Sequence, residues 1–514
     1  MKRNFNRRDF LKLSGLLPLG LTAPHLMRNL GISQLPQGQK NILIVVFDAF
    51  SAYNISLYGY PRKTTPNIDR LADRATIYHN HFAGGNFTTT GTASLLTGTL
   101  PWTHRAFQPN AKVADSVATH NIFNAFQNYH RLAYTQNGWV STLLNQFYND
   151  IDELIPRDKF FLESYDGFIR TLFKNDDDIS TVSWTRNIKI KEGGYSYSLF
   201  LSYLFEWLQD KRVSGIKPQF PRGLPTTGSD NGFLLETSID WMGNHLPTVA
   251  QPFFGYFHFL PPHYPYKTSL EFYDRFKTDG LKPLEKPIDA LTRGKISSNL
   301  LKKRTEYDEF VLYVDKTFDN LFNNLEMSGL LDNTWVILTS DHGEMFERGI
   351  SGHSTNTLYQ PVIRVPLLIF EPGQKTRVDI NTTTSAIDLL PTLLHLTDQE
   401  IPDWVEGVIL PPYTPTTLNP NRKVYVVRAN DNEQDEPITT LASTTIVKGR
   451  YKLHYYVGYP ELQQYERVHE KVKLFDIEAD PEEMVDLYPS QKDVADELLN
   501  ELKTKLTEVN KPYL

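Results

Sequence analysis

Asn41-Ile42-Leu43-Ile44-Val45-Val46-Phe47-Asp48 sets six large apolar residues in a row and ends on an acid. An unbroken apolar run of this length reads as a strand covered on both faces, the situation of a strand inside a parallel sheet. The next segment predicts a helix. In Thr65-Pro66-Asn67-Ile68-Asp69-Arg70-Leu71-Ala72, Thr65 is placed to cap, Pro66 fits the first turn, and Ile68, Leu71, Ala72 and Ala75 share one face. Residues 253–260 and 335–339 are further apolar strand candidates, the second preceded by a helical pattern through Phe310, Val314, Phe318 and Leu321. Residues 131–136 and 366–370 also read as strands, and 385–396 as a helix carrying Pro391. Strands alternating with helices define the α/β class.

Beyond residue 420 the pattern changes to short strands (423–427, 451–457) and one final helix (494–506), which predicts a small C-terminal α+β subdomain over 420–514. The main domain then spans 40–415. Within it, residues 151–240 are rich in aromatics and turn formers and read as a variable insertion. Asp176-Asp177-Asp178 inside that insertion lack the ligand spacing of a calcium loop and read as a solvated turn.

The 514 residues hold 60 acidic and 53 basic side chains, a net charge of −7 spread along the chain, so no nucleic-acid-binding module is expected. Cysteine is absent, which excludes disulfides, thiolate metal sites and a cysteine nucleophile. The N-terminus carries Arg7-Arg8-Asp9-Phe10-Leu11-Lys12 ahead of a short apolar run, residues 13–23, broken by Gly and Pro. This order resembles the twin-arginine signal that takes folded proteins across the bacterial cytoplasmic membrane. Residues 1–31 are therefore read as an export signal, with the twin-arginine machinery as a partner and a periplasmic, cell-surface or extracellular destination. Leu21-Thr22-Ala23 is a poor cleavage site, and a retained segment would hold the protein near the membrane.

Three separated signals carry chemistry. Thr339-Ser340-Asp341-His342-Gly343-Glu344 directly follows an apolar strand, and in open α/β sheets ligands gather beyond the carboxyl ends of strands. Asp48 sits at the end of a second such strand, where a lone acid needs a partner or an ion. In Gly85-Asn86-Phe87-Thr88-Thr89-Thr90-Gly91-Thr92-Ala93-Ser94-Leu95-Leu96-Thr97-Gly98, hydroxyls at the start of a helix meet backbone N–H groups and a dipole that favour an anion. Together Asp48, Thr88, Asp341 and His342 offer two carboxylates, one hydroxyl and one imidazole, an adequate donor set for a divalent cation.

These motifs, with Ala93-Ser94-Leu95-Leu96-Thr97-Gly98, His263-Tyr264-Pro265-Tyr266, Arg364-Val365-Pro366-Leu367-Leu368-Ile369 and Leu474-Phe475-Asp476-Ile477-Glu478-Ala479-Asp480-Pro481-Glu482-Glu483, occur in the order of the sulfatase family of the alkaline phosphatase superfamily, and the resemblance runs from about Asn41 to the C-terminus. It implies an α/β fold with a large mixed, mainly parallel sheet sandwiched by helices, a bound divalent metal and an anionic ester substrate. Two departures matter. Sulfatases oxidise a Cys or Ser in a Cys/Ser-x-Pro-x-Arg context to formylglycine. Counting back from Gly98 that position is Thr88, followed by Thr89-Thr90-Gly91-Thr92 without Pro or Arg, and a threonine cannot give the same aldehyde. The family also tends to follow its first metal acid with a second, whereas Ala49 stands here.

Threonine at the nucleophile position resembles the phosphorus-handling branches: nucleotide pyrophosphatase/phosphodiesterases, phosphoethanolamine transferases and lipoteichoic acid synthases. That resemblance implies a metal-activated Thr88 attacking a phosphate ester, diesters foremost, through a phosphothreonine, with Thr89 and Thr90 as alternates for the nucleophile. His263 and His353 match histidines that donate hydrogen bonds, protonate the leaving group or hold a weaker second metal. The Asp-x-x-x-His pair of two-zinc relatives is not found, so a complete second site is not expected. Asn137, at the end of the 131–136 strand, is placed either to reach substrate or to turn the chain. An imidazole in the ligand set favours zinc or manganese over calcium or magnesium. The competing functions are a sulfatase acting without formylglycine and a non-catalytic binding protein on the same fold.

Overall fold

In the computed structural model the apolar run becomes β1 (Asn41–Phe47), with all seven residues buried. The structure describes residues 39–162, 207, 211, 213–227, 232–292, 294–415, 421–438 and 441–514. Residues 1–31, read as the export signal, and most of the 151–240 insertion, with its Asp176-Asp177-Asp178 triplet, lie outside the described residues. Lys40–Leu514 form one compact unit.

β1 lies near the middle of an eight-stranded sheet. The others are β2 (Thr76–Tyr78), β3 (His130–Thr135), β4 (Glu153–Leu154), β5 (Phe253–Phe259), β6 (Thr334–Thr339), β7 (Leu367–Phe370) and β8 (Val378–Ile380), in the order β8-β2-β7-β6-β1-β5-β3-β4. β1 is parallel to both β5 and β6, and β5 to β3, while β7 runs antiparallel to β6 and β2. The sheet is therefore mixed and mainly parallel.

Alternation explains why β1 had to be apolar throughout. Leu43, Val45 and Phe47 enter a core shared with α5 (Ser298–Met327), while Ile42, Ile44 and Val46 enter a second core against α2 (Thr88–Thr97), α3 (Gly138–Gln146) and α6 (Leu389–Leu396). Each large side chain contributes about 1.5–3 kcal/mol by leaving water. Asp48 continues the parity of Ile42, Ile44 and Val46, the side of the sheet on which α2 packs.

α1 (Pro66–Leu71) forms where read, with Thr65 at its N-cap, but the Thr65 side chain makes no capping hydrogen bond. The Thr65 hydroxyl donates to Asp69 at 2.9 Å, and the first-turn N–H groups of Asn67 and Ile68 are taken by Asp315 of α5, at 3.1 and 2.7 Å. A distant carboxylate thus replaces the local cap, a choice that no spacing within the helix announces. α4 (Leu235–His245) packs against α5 on the same face.

At the C-terminus β9 (Lys423–Arg428), β10 (Ala442–Lys448), β11 (Tyr451–Val457) and β12 (Glu470–Asp476) form an antiparallel meander, covered by α7 (Lys492–Asn510). β10 and β12 were not anticipated from the sequence. Its core includes Leu100, Trp102, Phe107 and Ile387, so this small sheet rests on the loop that follows α2.

A buried histidine ties that loop to α2. His104 Nδ1 accepts from the Ala106 N–H at 3.1 Å, so Nε2 carries the proton toward Ser94 Oγ, 3.1 Å away. Burial first, and then the charge of Arg105, push His104 down to about 3. The unfolded chain takes up this proton near pH 6.5 and the folded chain does not, so stability falls as pH drops from 6.5 toward 3. Urea midpoints are expected to be lower at pH 4.5 than at pH 7, with this residue accounting for about 2–3 kcal/mol. In His104→Asn the difference should narrow; an unchanged difference would show that His104 titrates normally.

Candidate active site

The carboxyl ends of β1, β5 and β6 and the N-terminus of α2 converge on one point. Asp48 follows β1, Asp341 lies two residues beyond β6, and Thr88 is the first residue of α2; all are fully buried. β1 and β6 are neighbours in register, with Val46 opposite Thr339, which brings two acids almost 300 positions apart in sequence to the same edge. His342 Nε2 is 3.4 Å from Asp48 Oδ1, 3.6 Å from Asp341 Oδ2 and 3.2 Å from Thr88 Oγ1. Asp48, Asp341 and His342 can direct one donor atom each to within 4.8 Å of one another.

Of the three consecutive threonines only Thr88 faces this cluster. Thr89 Oγ1 accepts from Asn110 N–H at 3.1 Å, and Thr90 Oγ1 donates to the Ala106 carbonyl at 3.1 Å. The N-cap, Phe87, supplies no side-chain acceptor, so the first N–H groups of α2 have no side-chain cap. Gly91 lets α2 approach the loop that carries Asp341 and His342: a Cβ there would overlap the Asp341 carbonyl oxygen. Gly91→Ala is accordingly expected to cost about 1–3 kcal/mol in unfolding free energy and to reduce turnover roughly 100-fold by displacing Thr88. Wild-type turnover in that variant would show that the contact relaxes without moving the hydroxyl.

Burial and mutual charge shift every ionisable group of this cluster. For Asp48, burial raises the carboxyl, but the charge of His263 and contacts with His258 and His342 outweigh it and hold it well below its ordinary range. Asp341 is pushed up, by burial first and by the Asp48 charge second. Burial opposes a charge on His342, yet Asp341 and Asp48 push it up to about 9. Asp341 Oδ1 is fully engaged, accepting from the Ala49 and His342 N–H groups at 3.3 and 3.0 Å. Asp48 Oδ1 and Asp341 Oδ2, by contrast, are buried without any hydrogen-bond partner. Two orphaned carboxylate oxygens beside an imidazole and a hydroxyl fit a divalent cation, which would satisfy both.

Two further expected residues join the cluster. The His353 ring lies 4.2 Å from that of His342, centroid to centroid, and His263 lies 5.0 Å from His353. His353 Nδ1 is 3.1 Å from Glu344 Oε1. Burial and the His342 charge lower His353, offset in part by Glu344, whose own carboxyl is held below its ordinary range, against burial, by His353. Asn86 Nδ2 donates to the carbonyls of His353 and Thr355, fixing that loop against the start of α2.

Of the two readings of Asn137, its contacts match the residue that turns the chain. Its Nδ2 donates to Asp48 Oδ2 at 2.5 Å and its Oδ1 caps α3 at the Trp139 N–H, so both ends of the amide are held by protein. It starts α3 and positions the Asp48 carboxylate.

His258, on β5, was passed over in the sequence although a lone histidine within an apolar strand raises the question that singled out Asp48. The role of Glu344 as the partner of His353 was also missed, because it depends on a loop that folds back nine residues.

A sulfatase family model matches residues 40–399, and a model described as N-sulphoglucosamine sulphohydrolase, C-terminal, matches residues 353–512. Choline-sulfatase of Rhizobium meliloti is 23% identical over 489 residues, covering 90% of this chain and 84% of that protein. Endo-4-O-sulfatase of Bacteroides thetaiotaomicron is 29% identical over 279 residues, covering 52% of this chain and 53% of that protein. Among solved structures, the phosphonate monoester hydrolase of Agrobacterium radiobacter superposes with a TM-score of 0.64 at 18% identity, over 93% of this chain and 96% of that one. With the family model spanning most of the chain and this fold beneath it, the protein belongs to the sulfatase family of hydrolases.

Proposed function

We propose that the protein is an exported, divalent-metal-dependent enzyme that cleaves phosphate esters, diesters foremost, with Thr88 as nucleophile. The observation that carries this reading is the Thr88 hydroxyl, 3.2 Å from His342 Nε2 at the start of α2, in the place where an aldehyde-forming residue would stand in a formylglycine-dependent sulfatase. Asp48, Thr88, Asp341 and His342 would hold the cation, zinc or manganese by donor type. When bound, it supplies Lewis-acid polarisation that makes the hydroxyl acidic and neutralises charge on the transferred group.

The remaining chemistry belongs to the chain. Thr88 Oγ1 forms the new bond to phosphorus while the ester bond breaks, leaving a phosphothreonine that water or an acceptor alcohol resolves. Ionised Glu344 accepts a hydrogen bond from the Nδ1–H of His353, so Nε2 becomes the exchangeable position. There it gives a proton to the leaving alkoxide when charged and accepts one from the incoming water or alcohol when neutral. His263, 5.0 Å from the His353 ring, is the second donor to the substrate. The first-turn N–H groups of α2 face the transferred group's negative charge.

Arg7-Arg8 and the apolar run after them support the twin-arginine route. Among the described residues no helix is long and apolar enough to cross a membrane, so membrane proximity would come from a retained signal segment. A second reading, sulfuric ester hydrolysis without formylglycine, is favoured by the names of the curated relatives, choline-sulfatase among them. Aryl phosphate diesters, aryl phosphate monoesters and aryl sulfates offered to the purified protein separate the two. Turnover of phosphate esters is expected, and turnover of sulfate alone would overturn the proposal.

A further inference from the structure

Asn86 stands two residues before Thr88, and its side chain is buried. Its Nδ2 donates to the His353 carbonyl at 3.2 Å and to the Thr355 carbonyl at 2.9 Å. Two acceptors facing one end of the amide fix its orientation, since only the NH2 group can serve both. Its Oδ1 is buried with no hydrogen-bond partner. An apolar residue of the same size would avoid that unpaired acceptor, so the worth of the amide here lies in what its two N–H groups hold.

They hold the segment that carries His353. That segment leaves a hairpin of two short strands, Phe346–Glu347 and Ile350–Ser351, through Gly352, whose φ of 105° turns the chain. Beyond the turn the bonds are mostly local. The Thr355 N–H reaches the His353 carbonyl at 2.8 Å, and the Thr355 and Thr357 hydroxyls lie 2.9 Å apart. Such bonds shape a loop without placing it against another element. On one side the Asn356 carbonyl accepts from Ser443 Oγ of β10; on the side of α2 the tie is Asn86. The His353 ring itself reaches Thr88 only indirectly, 4.2 Å from the His342 ring, whose Nε2 lies 3.2 Å from Thr88 Oγ1. Tilted rings in contact can slide, whereas two N–H···O bonds to the backbone at 353 and 355 break if it moves.

We propose that Asn86 is a positioning residue that sets His353 at a fixed place relative to the Thr88 hydroxyl, so that the start of α2 carries the nucleophile and also holds the proton donor. The inference rests on the reading of Thr88 as nucleophile and of His353 as the group that protonates the leaving alkoxide. It assigns Asn86 no contact with substrate.

The test compares methyl 4-nitrophenyl phosphate with methyl phenyl phosphate on the full chain, in the wild type, Asn86→Ala, His353→Gln and the double variant. Nitrophenolate leaves without a proton and phenolate leaves far better with one, so a displaced proton donor shows as a loss concentrated on the phenyl ester. In Asn86→Ala, kcat for the phenyl ester should fall at least about 100-fold with KM nearly unchanged, and kcat for the nitrophenyl ester by less than about 10-fold. The double variant should be slower than His353→Gln by no more than about threefold, because the group that Asn86 places is already gone. Equal losses on the two esters, or losses that multiply in the double variant, overturn the proposal, since a residue that only supports the fold gives either result. Asn86→Asp keeps the volume of the side chain but offers no N–H, and must show the same leaving-group pattern, so an alanine variant that does not fold leaves the test standing. If His353→Gln slows both esters alike, the reading of His353 as proton donor fails and this inference falls with it. If His353→Gln is selective and the Asn86 variants are not, the role of Asn86 falls alone.

Discussion

Thr88→Ala is expected to lower turnover of every ester the wild type cleaves by at least about 10⁴-fold, while leaving the fold intact. The side chain is fully buried, and its hydroxyl makes one described hydrogen bond, to His342 Nε2, so removing it deletes the proposed attacking atom and little else. Residual rate would come from binding and from charge stabilisation at the start of α2, which survive in the variant. Thr88→Ser keeps an oxygen in the same place and should retain most of the activity, whereas Thr89→Ala and Thr90→Ala should retain nearly all of it. Rates on phosphate and sulfate esters, together with a phosphoryl adduct sought by mass spectrometry on the peptide carrying Thr88, check the prediction. Undiminished turnover in Thr88→Ala, or an adduct on Thr89, would sink it.

Asp341→Asn carries the second large effect, and its two halves have opposite signs. An asparagine keeps Oδ1 to accept from the Ala49 and His342 N–H groups but sets an uncharged amide where the orphaned Oδ2 now lies. Bound metal per chain should fall well below one, and turnover by at least about 10³-fold, because a charged donor is lost. In metal-free protein the same change removes one of two buried carboxylates that repel each other, so the unfolding midpoint should stay level or rise. The wild type should gain about 4 kcal/mol when metal is supplied at 1,000 times its dissociation constant, and the variant should gain little. Metal analysis and unfolding curves with and without chelator measure both halves. A metal-dependent gain that persists in Asp341→Asn would remove Asp341 from the ligand set.

Much of this site was legible because its residues interrupt apolar strands. Asp48 and Asp341 stand at or just past the carboxyl ends of β1 and β6, and burying an acid there without an ion or partner is too costly to be incidental. His258 interrupts β5 in the same way and could have been found by the same argument. Asn137 could not be resolved from sequence, since a turn residue and a ligand-positioning residue look alike until Asp48 arrives from another strand. The Asp315 cap of α1 was hidden for the same reason: about 250 residues separate the donor N–H groups from their acceptor.

The sequence by itself determined the alternation of strand and helix, the acids at strand ends and the hydroxyl-rich start of α2, because hydrophobic periodicity and the cost of burying charge act locally. Only the tertiary structure decided which strands are neighbours, which of three threonines faces the carboxylates and how many imidazoles surround them. Those outcomes depend on sheet order and on the rotation of one helix against a loop, and both are set by packing between segments far apart in the chain.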